Sequence, residues 1–309
     1  MLTGLMLFLF GMRFMAQGLE RSTGPFVERA LAGVARYPLL GLMAGVLFTA
    51  VLQSSSAMTV IVLGLVHARL LSFTKALPVI MGANIGTTVT IQFLSTSIEE
   101  FSGYFLVLGV LLYLLGEKRV GHAGQIVTGF AILLVGMQGI QSGTAILKES
   151  FWIKEMLISA GEEPLKGVIF GIVVTTVVDS SSAAILMIQQ LLRDGILSLE
   201  GALPILYGDN IGTTSATLVV SLTLNREARR VAIGHFLFNL IGTGLFLFFN
   251  PLVVGMVKMS ALEVGRQLAN AHTLFNLVNT MVLFPLRTGL VSLTYWLVPP
   301  VDREEELRV

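Results

Sequence analysis

Hydrophobic residues dominate long runs at 4–19, 38–66, 76–96, 103–116, 123–140, 167–192, 202–222, 231–256 and 272–299, and several of these runs are interrupted by small polar residues. Runs of this length and apolarity predict helices in a bilayer, because only a helix satisfies its own backbone where water is absent. The interruptions subdivide some of them. Leu39 to Leu52 spans about 21 Å as helix and Ala57 to Ala68 about 18 Å, so neither arm crosses roughly 30 Å of hydrocarbon alone. Gln53-Ser54-Ser55-Ser56 lies between them, and a re-entrant helical hairpin over 39–68 with these residues at its tip is the expected form. A second kind of interruption, Gly82-Ala83-Asn84-Ile85-Gly86-Thr87-Thr88, sits in the apolar run 76–96. Glycine and asparagine tolerate non-helical backbone, which predicts a helix unwound at its centre.

Both interruptions recur. An offset of 126 residues lays Gln53-Ser54-Ser55-Ser56-Ala57 on Asp179-Ser180-Ser181-Ser182-Ala183, and Gly82 to Thr88 on Gly208-Asp209-Asn210-Ile211-Gly212-Thr213-Thr214. Gly11-Met12 matches Gly136-Met137 with a one-residue shift, so each copy begins with a leading helix. Apolar filler would not preserve hydroxyls and amides, which are costly in lipid unless paired. The expected organisation is a first repeat over 1–122 (hairpin 39–68, broken helix 76–96) and a second over 123–250 (hairpin 167–192, broken helix 202–222). Further membrane helices over 251–300 and a charged tail over 301–309 complete it. Amphipathic stretches are expected near 20–36 and 145–160. Three crossings per repeat make the copies inverted in topology, and Arg21, Arg29, Arg36, Arg69, Lys75, Lys118, Arg119, Arg226, Arg229 and Arg230 then fall on one side, the cytoplasmic one by the positive-inside rule. Lys148, Lys154, Lys166 and Arg193 run against that count. The fold class is therefore an all-α integral membrane protein of two inverted-topology repeats, each with a re-entrant hairpin and a broken transmembrane helix, in the plasma or inner membrane.

Composition agrees. The chain has 309 residues, 54% hydrophobic and 13% charged, with a mean hydropathy of +0.82, too little polar surface to coat a soluble domain. A net charge of +1 argues against nucleic acid as a partner, and zero cysteine excludes disulfides and thiol chemistry. His235 and Asn239, echoed by His272 and Asn276, each share one helix face and are expected to bond across to neighbouring helices.

Four polar elements entering from opposite sides are expected to converge near the midplane, the arrangement of a transporter site. Six serine hydroxyls, four threonine hydroxyls, Gln53, Asn84 and Asn210 offer donors and acceptors suited to a tetrahedral oxyanion. None of the four elements contains lysine or arginine, so a buried anion there requires bound cations, for which Asp179 and Asp209 supply anionic oxygens.

At these residues the chain resembles the type II sodium/phosphate cotransporters and their bacterial relatives, with Arg229-Arg230-Val231-Ala232 and Phe275-Asn276 in similar positions, over roughly residues 1–300. The resemblance implies secondary active transport of inorganic phosphate driven by sodium, with no enzymatic activity and no cofactor beyond the coupling ion. It implies phosphate contacts from Gln53, Ser54, Ser55, Asn84, Ser180, Ser181 and Asn210. Sodium would draw on Gln53, Ser56, Asn84, Thr87, Thr88, Asp179, Ser182, Asp209, Asn210, Thr213 and Thr214. Asp179 in the place of Gln53, and Asp209 in the place of Ala83, depart from the motif and leave stoichiometry open; a homodimer is also left open. Other readings are a sodium- or proton-coupled transporter of another oxyanion, an anion channel or sensor, and an intramembrane aspartyl hydrolase using Asp179 and Asp209, which leaves the first repeat without a role.

Overall fold

The computed structural model describes residues 2–35, 37–95, 98–143, 159 and 163–300. Among these the chain is helical, with no strand. Its helices are α1 (Leu2–Val34), α2 (Pro38–Leu52), α3 (Ser55–His67), α4 (Phe73–Leu94), α5 (Ser102–Leu115), α6 (Lys118–Gly143), α7 (Pro164–Val178), α8 (Ser181–Arg193), α9 (Leu199–Gly212), α10 (Ser215–Ser221), α11 (Arg226–Phe248), α12 (Asn250–Lys258), α13 (Val264–Leu283) and α14 (Arg287–Leu297). A 3-10 turn over Ile98–Phe101 precedes α5. Among the described residues, the stretches Leu2–Ser22, Phe73–Leu94, Val120–Ser142 and Arg226–Phe248 are long and apolar enough to cross a membrane; α13 with α14, bent by 86°, adds a fifth where the pair counts as one span. The protein is a multi-pass membrane protein on this evidence. Pro38–Leu52, Ser55–His67 and Pro164–Val178 are the short apolar helices expected of the subdivided arms.

Two expectations change. The run 4–19 and the stretch from residue 20 onward form the single helix α1. The first Gly-x-Asn motif does not unwind: α4 continues through it from Phe73 to Leu94. Its polar side chains turn back onto their own helix, Asn84 Nδ2 donating to Ile80 O (2.9 Å), Thr87 Oγ1 to Ala83 O (3.0 Å) and Thr88 Oγ1 to Ile85 O (2.8 Å). In the second copy a break does occur, at Thr213-Thr214 between α9 and α10, at the end of the motif and not across its centre. The amphipathic stretch near 145–160, apart from Ser159, and the charged tail 301–309 lie outside the described residues.

The chain forms two compact units that interleave along the sequence. The first comprises Met1–Gly24, Thr90–Asp209 and Asn250–Ala271. Its core joins Phe8 and Met15 of α1, Leu94 at the end of α4, Leu133, Leu134, Met137 and Ile140 of α6, and Ala183 and Leu186 of α8. Small residues let α1 and α6 approach closely: a Cβ on Gly11 would stand 2.3 Å from Leu133 N, and one on Gly136 2.2 Å from Phe8 N. These two glycines are the pair that matched between the leading helices of the two copies.

The second unit comprises Pro25–Val89, Asn210–Phe249 and His272–Val309. In it α3 packs against α10 and α11. Pairing of buried Arg230 with half-buried Glu227 anchors the start of α11: Glu227 accepts from Phe73 N (3.2 Å) and Tyr295 Oη (3.3 Å), while Arg230 donates to Val298 O (2.9 Å) and lies 4.2 Å over the Tyr295 ring.

Candidate transport site

The tip residues owe their geometry to a cap shared by both copies. Gln53 closes α2 with φ 54° and ψ 24°, and Asp179 closes α7 with φ 54° and ψ 33°. Each occupies the left-handed region, where a non-glycine residue is uncommon and carries a steric cost. Their N–H groups bond back to Thr49 O (2.7 Å) and Thr175 O (2.8 Å). The next residue is extended and caps the following helix: Ser54 Oγ accepts from Ala57 N (3.1 Å), and Ser180 Oγ from Ala183 N (3.2 Å). Serine at an N-cap satisfies one of the open amides of the first turn, and Ser55, Ser56, Ser181 and Ser182 follow within that turn. Each tip therefore presents hydroxyls together with the positive end of a helix dipole, a constellation suited to an anion.

Each tip is fixed to the Gly-x-Asn helix of its own copy by backbone contact. In the second unit a Cβ on Gly45 of α2 would stand 2.1 Å from Val79 O of α4, and one on Gly82 2.0 Å from Leu42 O. In the first unit a Cβ on Gly171 of α7 would stand 2.0 Å from Ile205 O of α9, and one on Gly208 2.0 Å from Val168 O. All four contacts repeat at the 126-residue offset, so the glycines serve close helix packing.

One difference stands out inside this shared frame. Thr175 Oγ1 donates 2.5 Å to Asp209 Oδ1, and both residues are buried. At the equivalent place in the other copy Thr49 is fully buried, Ala83 holds the position of Asp209, and the Thr49 hydroxyl has no hydrogen-bond partner among the described residues. Asp179, by contrast, is exposed at its tip, Gln53 and Ser54 are half-buried, and Ser180 and Ser182 are buried. Ser180 Oγ lies 3.6 Å from Met12 Sδ. Ser55 is buried, Ser56 and Ser181 half-buried, Thr87, Thr88 and Thr214 buried, and Thr213 half-buried.

The two motif asparagines lead to side chains of later helices, within the second unit. Asn84 Oδ1 lies 3.3 Å from His235 Nε2, and Asn276 Nδ2 donates to Asn210 Oδ1 (3.2 Å). These are the cross-helix bonds expected of the His-x-x-x-Asn echo. The sequence reading separated these residues from the site, although the echo itself marked them. It also passed over Thr49 and Thr175, which lie in apolar arms four residues before the tips and carry no signal until their partners are known.

The model of the Na+/Pi-cotransporter family matches residues 7–142 and 149–275, a block for each copy of the pattern. The chain belongs to that family. Its members are transporters, not enzymes, and sodium is the coupling ion. The chain is 28% identical over 295 residues to the Bacillus subtilis protein YqeW, covering 96% of both chains. It is 27% identical over 287 residues to YjbB of Escherichia coli, a protein named for inorganic phosphate export, covering 92% of this chain and 53% of YjbB. The chain thus spans about half the length of that relative. A 53-residue stretch is 57% identical to human sodium-dependent phosphate transport protein 2B, 17% of this chain. No solved structure matches the chain.

Proposed function

We propose that the chain is a sodium-coupled transporter of inorganic phosphate in the inner membrane, built as two inverted repeats whose short arms form re-entrant hairpins. The observation that carries this reading is the pair of serine-capped tips, identical in backbone form and each bound to its Gly-x-Asn helix. Gln53, Ser54, Ser55 and Asn84, with Ser180, Ser181 and Asn210, serve as phosphate ligands through hydroxyls, carboxamides and first-turn amides. Sodium is coordinated by oxygens of Gln53, Ser56, Asn84, Thr87, Thr88, Asp179, Ser182, Asp209, Asn210, Thr213 and Thr214. The absence of lysine and arginine from these motifs makes cation binding a condition for holding the anion, which is the physical basis of coupling.

The direction of transport is inward under a sodium gradient directed inward. The name of the Escherichia coli relative favours a second reading, release of phosphate, which the same site would perform if the driving gradients were reversed. Radiolabelled phosphate flux in proteoliposomes, with sodium gradients imposed in each direction and with choline in place of sodium, decides both points. Sodium-driven accumulation inside supports uptake, whereas flux indifferent to sodium would sink the coupling. In the same assay Asp209→Asn, which keeps an oxygen but loses the charge, should shift the sodium activation curve more than the apparent phosphate affinity.

A further inference from the structure

Beyond the tip and Gly-x-Asn residues, the second unit holds a group of buried carboxamides that none of the roles above uses. Asn239 sits within the apolar span of α11 with no exposed surface, and neither its Oδ1 nor its Nδ2 has a hydrogen-bond partner among the described residues. Phe238, its neighbour in sequence, accepts through its carbonyl from Asn279 Nδ2 of α13 (3.0 Å). One turn further along α11, Gly242 faces the same carboxamide, and a Cβ there would fall 2.3 Å from Asn279 Nδ2 and 2.8 Å from its Oδ1. Asn279 and, one turn earlier on α13, Asn276 are fully buried; both spend their amides on carbonyl or carboxamide oxygens and leave Oδ1 without a donor.

His235, one turn before Asn239, adds to the group. Asn84 Nδ2 is committed to Ile80 O, so its Oδ1 is the acceptor toward His235 Nε2, which must then carry the proton. Nδ1 of His235 is consequently a lone-pair acceptor, and it too lacks a partner. Counted over these residues of one unit, three carboxamide oxygens and a ring nitrogen are open acceptors, against one open donor, Asn239 Nδ2. Buried polar groups left in this state are costly, and an excess of acceptors is relieved by a cation and not by an anion. No member carries a formal negative charge, which suits a monovalent ion and is poor for a divalent one.

We infer that Asn239, Asn276 and Asn279 ligate a sodium ion within this unit, with His235 fixing the neighbouring Asn84. The inference rests on the sodium-coupled reading only for the identity of the ion. Purified wild-type protein is titrated with radiolabelled sodium, with potassium and choline as competitors, beside Asn239→Leu, Asn239→Asp and Asp209→Asn. Asn239→Leu should bind one sodium ion fewer, or bind it about tenfold or more weakly, the effect of losing about 1.4 kcal/mol of ligation. Asn239→Asp, which keeps the shape and adds a charge, should bind sodium more tightly and guards against a misfolded leucine variant. Unchanged sodium number and affinity in both Asn239 variants would overturn the inference and assign the cluster to internal water. If Asn239→Leu loses sodium and Asn239→Asp tightens it while wild-type phosphate flux proves independent of sodium, the site stands and the coupling reading falls. If flux is sodium-driven and the Asn239 variants titrate like wild type, the reverse holds.

Discussion

Replacing Gly82 by alanine tests whether the Gly-x-Asn motif of α4 is a packing device or a hinge. A Cβ at this position would stand 2.0 Å from Leu42 O, 2.9 Å from Leu42 C and 2.9 Å from Val46 N, all of them backbone atoms of α2. A carbon and a carbonyl oxygen need about 3.3 Å, so α2 and α4 must separate by roughly 1.3 Å, and no side chain can rotate away to relieve the clash. Overpacking of this kind costs about 1–3 kcal/mol, and the backbone character of the obstacle puts it near the upper value. At about 2 °C per kcal/mol, the melting temperature should fall by roughly 6 °C. Gly64→Ala, at an exposed position of α3, is the matched control, because nothing lies within 4 Å of its Cβ position. It should be neutral or stabilising by up to about 1 kcal/mol, alanine being the better helix former. The assay is thermal unfolding in detergent followed by intrinsic fluorescence of the chain's two tryptophans. A hinge would be stiffened by alanine without loss of stability, so a Gly82→Ala protein that melts with wild type would refute the packing argument.

Two further outcomes follow from comparing the copies. Arg69 has φ 60° in a turn whose counterpart holds Gly195 at φ 69°, so Arg69→Gly should raise stability by about 0.5–1 kcal/mol by relieving a left-handed non-glycine residue; an unchanged or lower melting temperature counts against it. Ala83→Asp should fold, because it reproduces at Thr49 the pairing that Thr175 makes with Asp209, and it should raise the charge moved per phosphate in current recordings from reconstituted membranes; an identical charge-to-phosphate ratio would show that this carboxylate position does not take part in coupling.

What was legible in the sequence was the repetition of polar residues at a fixed offset, and it marked the two helix breaks at Gln53-Ser54 and Asp179-Ser180. Serine runs flanked by apolar arms too short to span a bilayer specify both the helix break and the cap, because one side chain satisfies the next helix's first turn. The Gly-x-Asn motif was legible as a special backbone position but not as to kind. Glycine permits both an unwound segment and a close helix contact, and asparagine can either face a cavity or bond to its own helix. Only the position of α2, with its carbonyls 2.0–2.6 Å from where Cβ atoms on Gly82 and Gly86 would be, decides between the two.

The asymmetry between the copies has the same logic one step further out. Ala83 and Asp209 are visible in the sequence as a departure from an otherwise shared motif, yet their meaning lies in residues 34 positions earlier, where threonines 49 and 175 are identical. An aspartate in a hydrophobic core would be costly by itself; beside a hydroxyl donor on a helix held at glycine-contact distance, it has one strong bond and a fixed direction. The copy with alanine keeps the hydroxyl and the frame without the charge. Under the proposed function, two copies that share the serine-capped breaks and the glycine contacts but differ in one buried carboxylate divide their labour, one binding through neutral oxygens and the other adding a charge that follows the coupling ion.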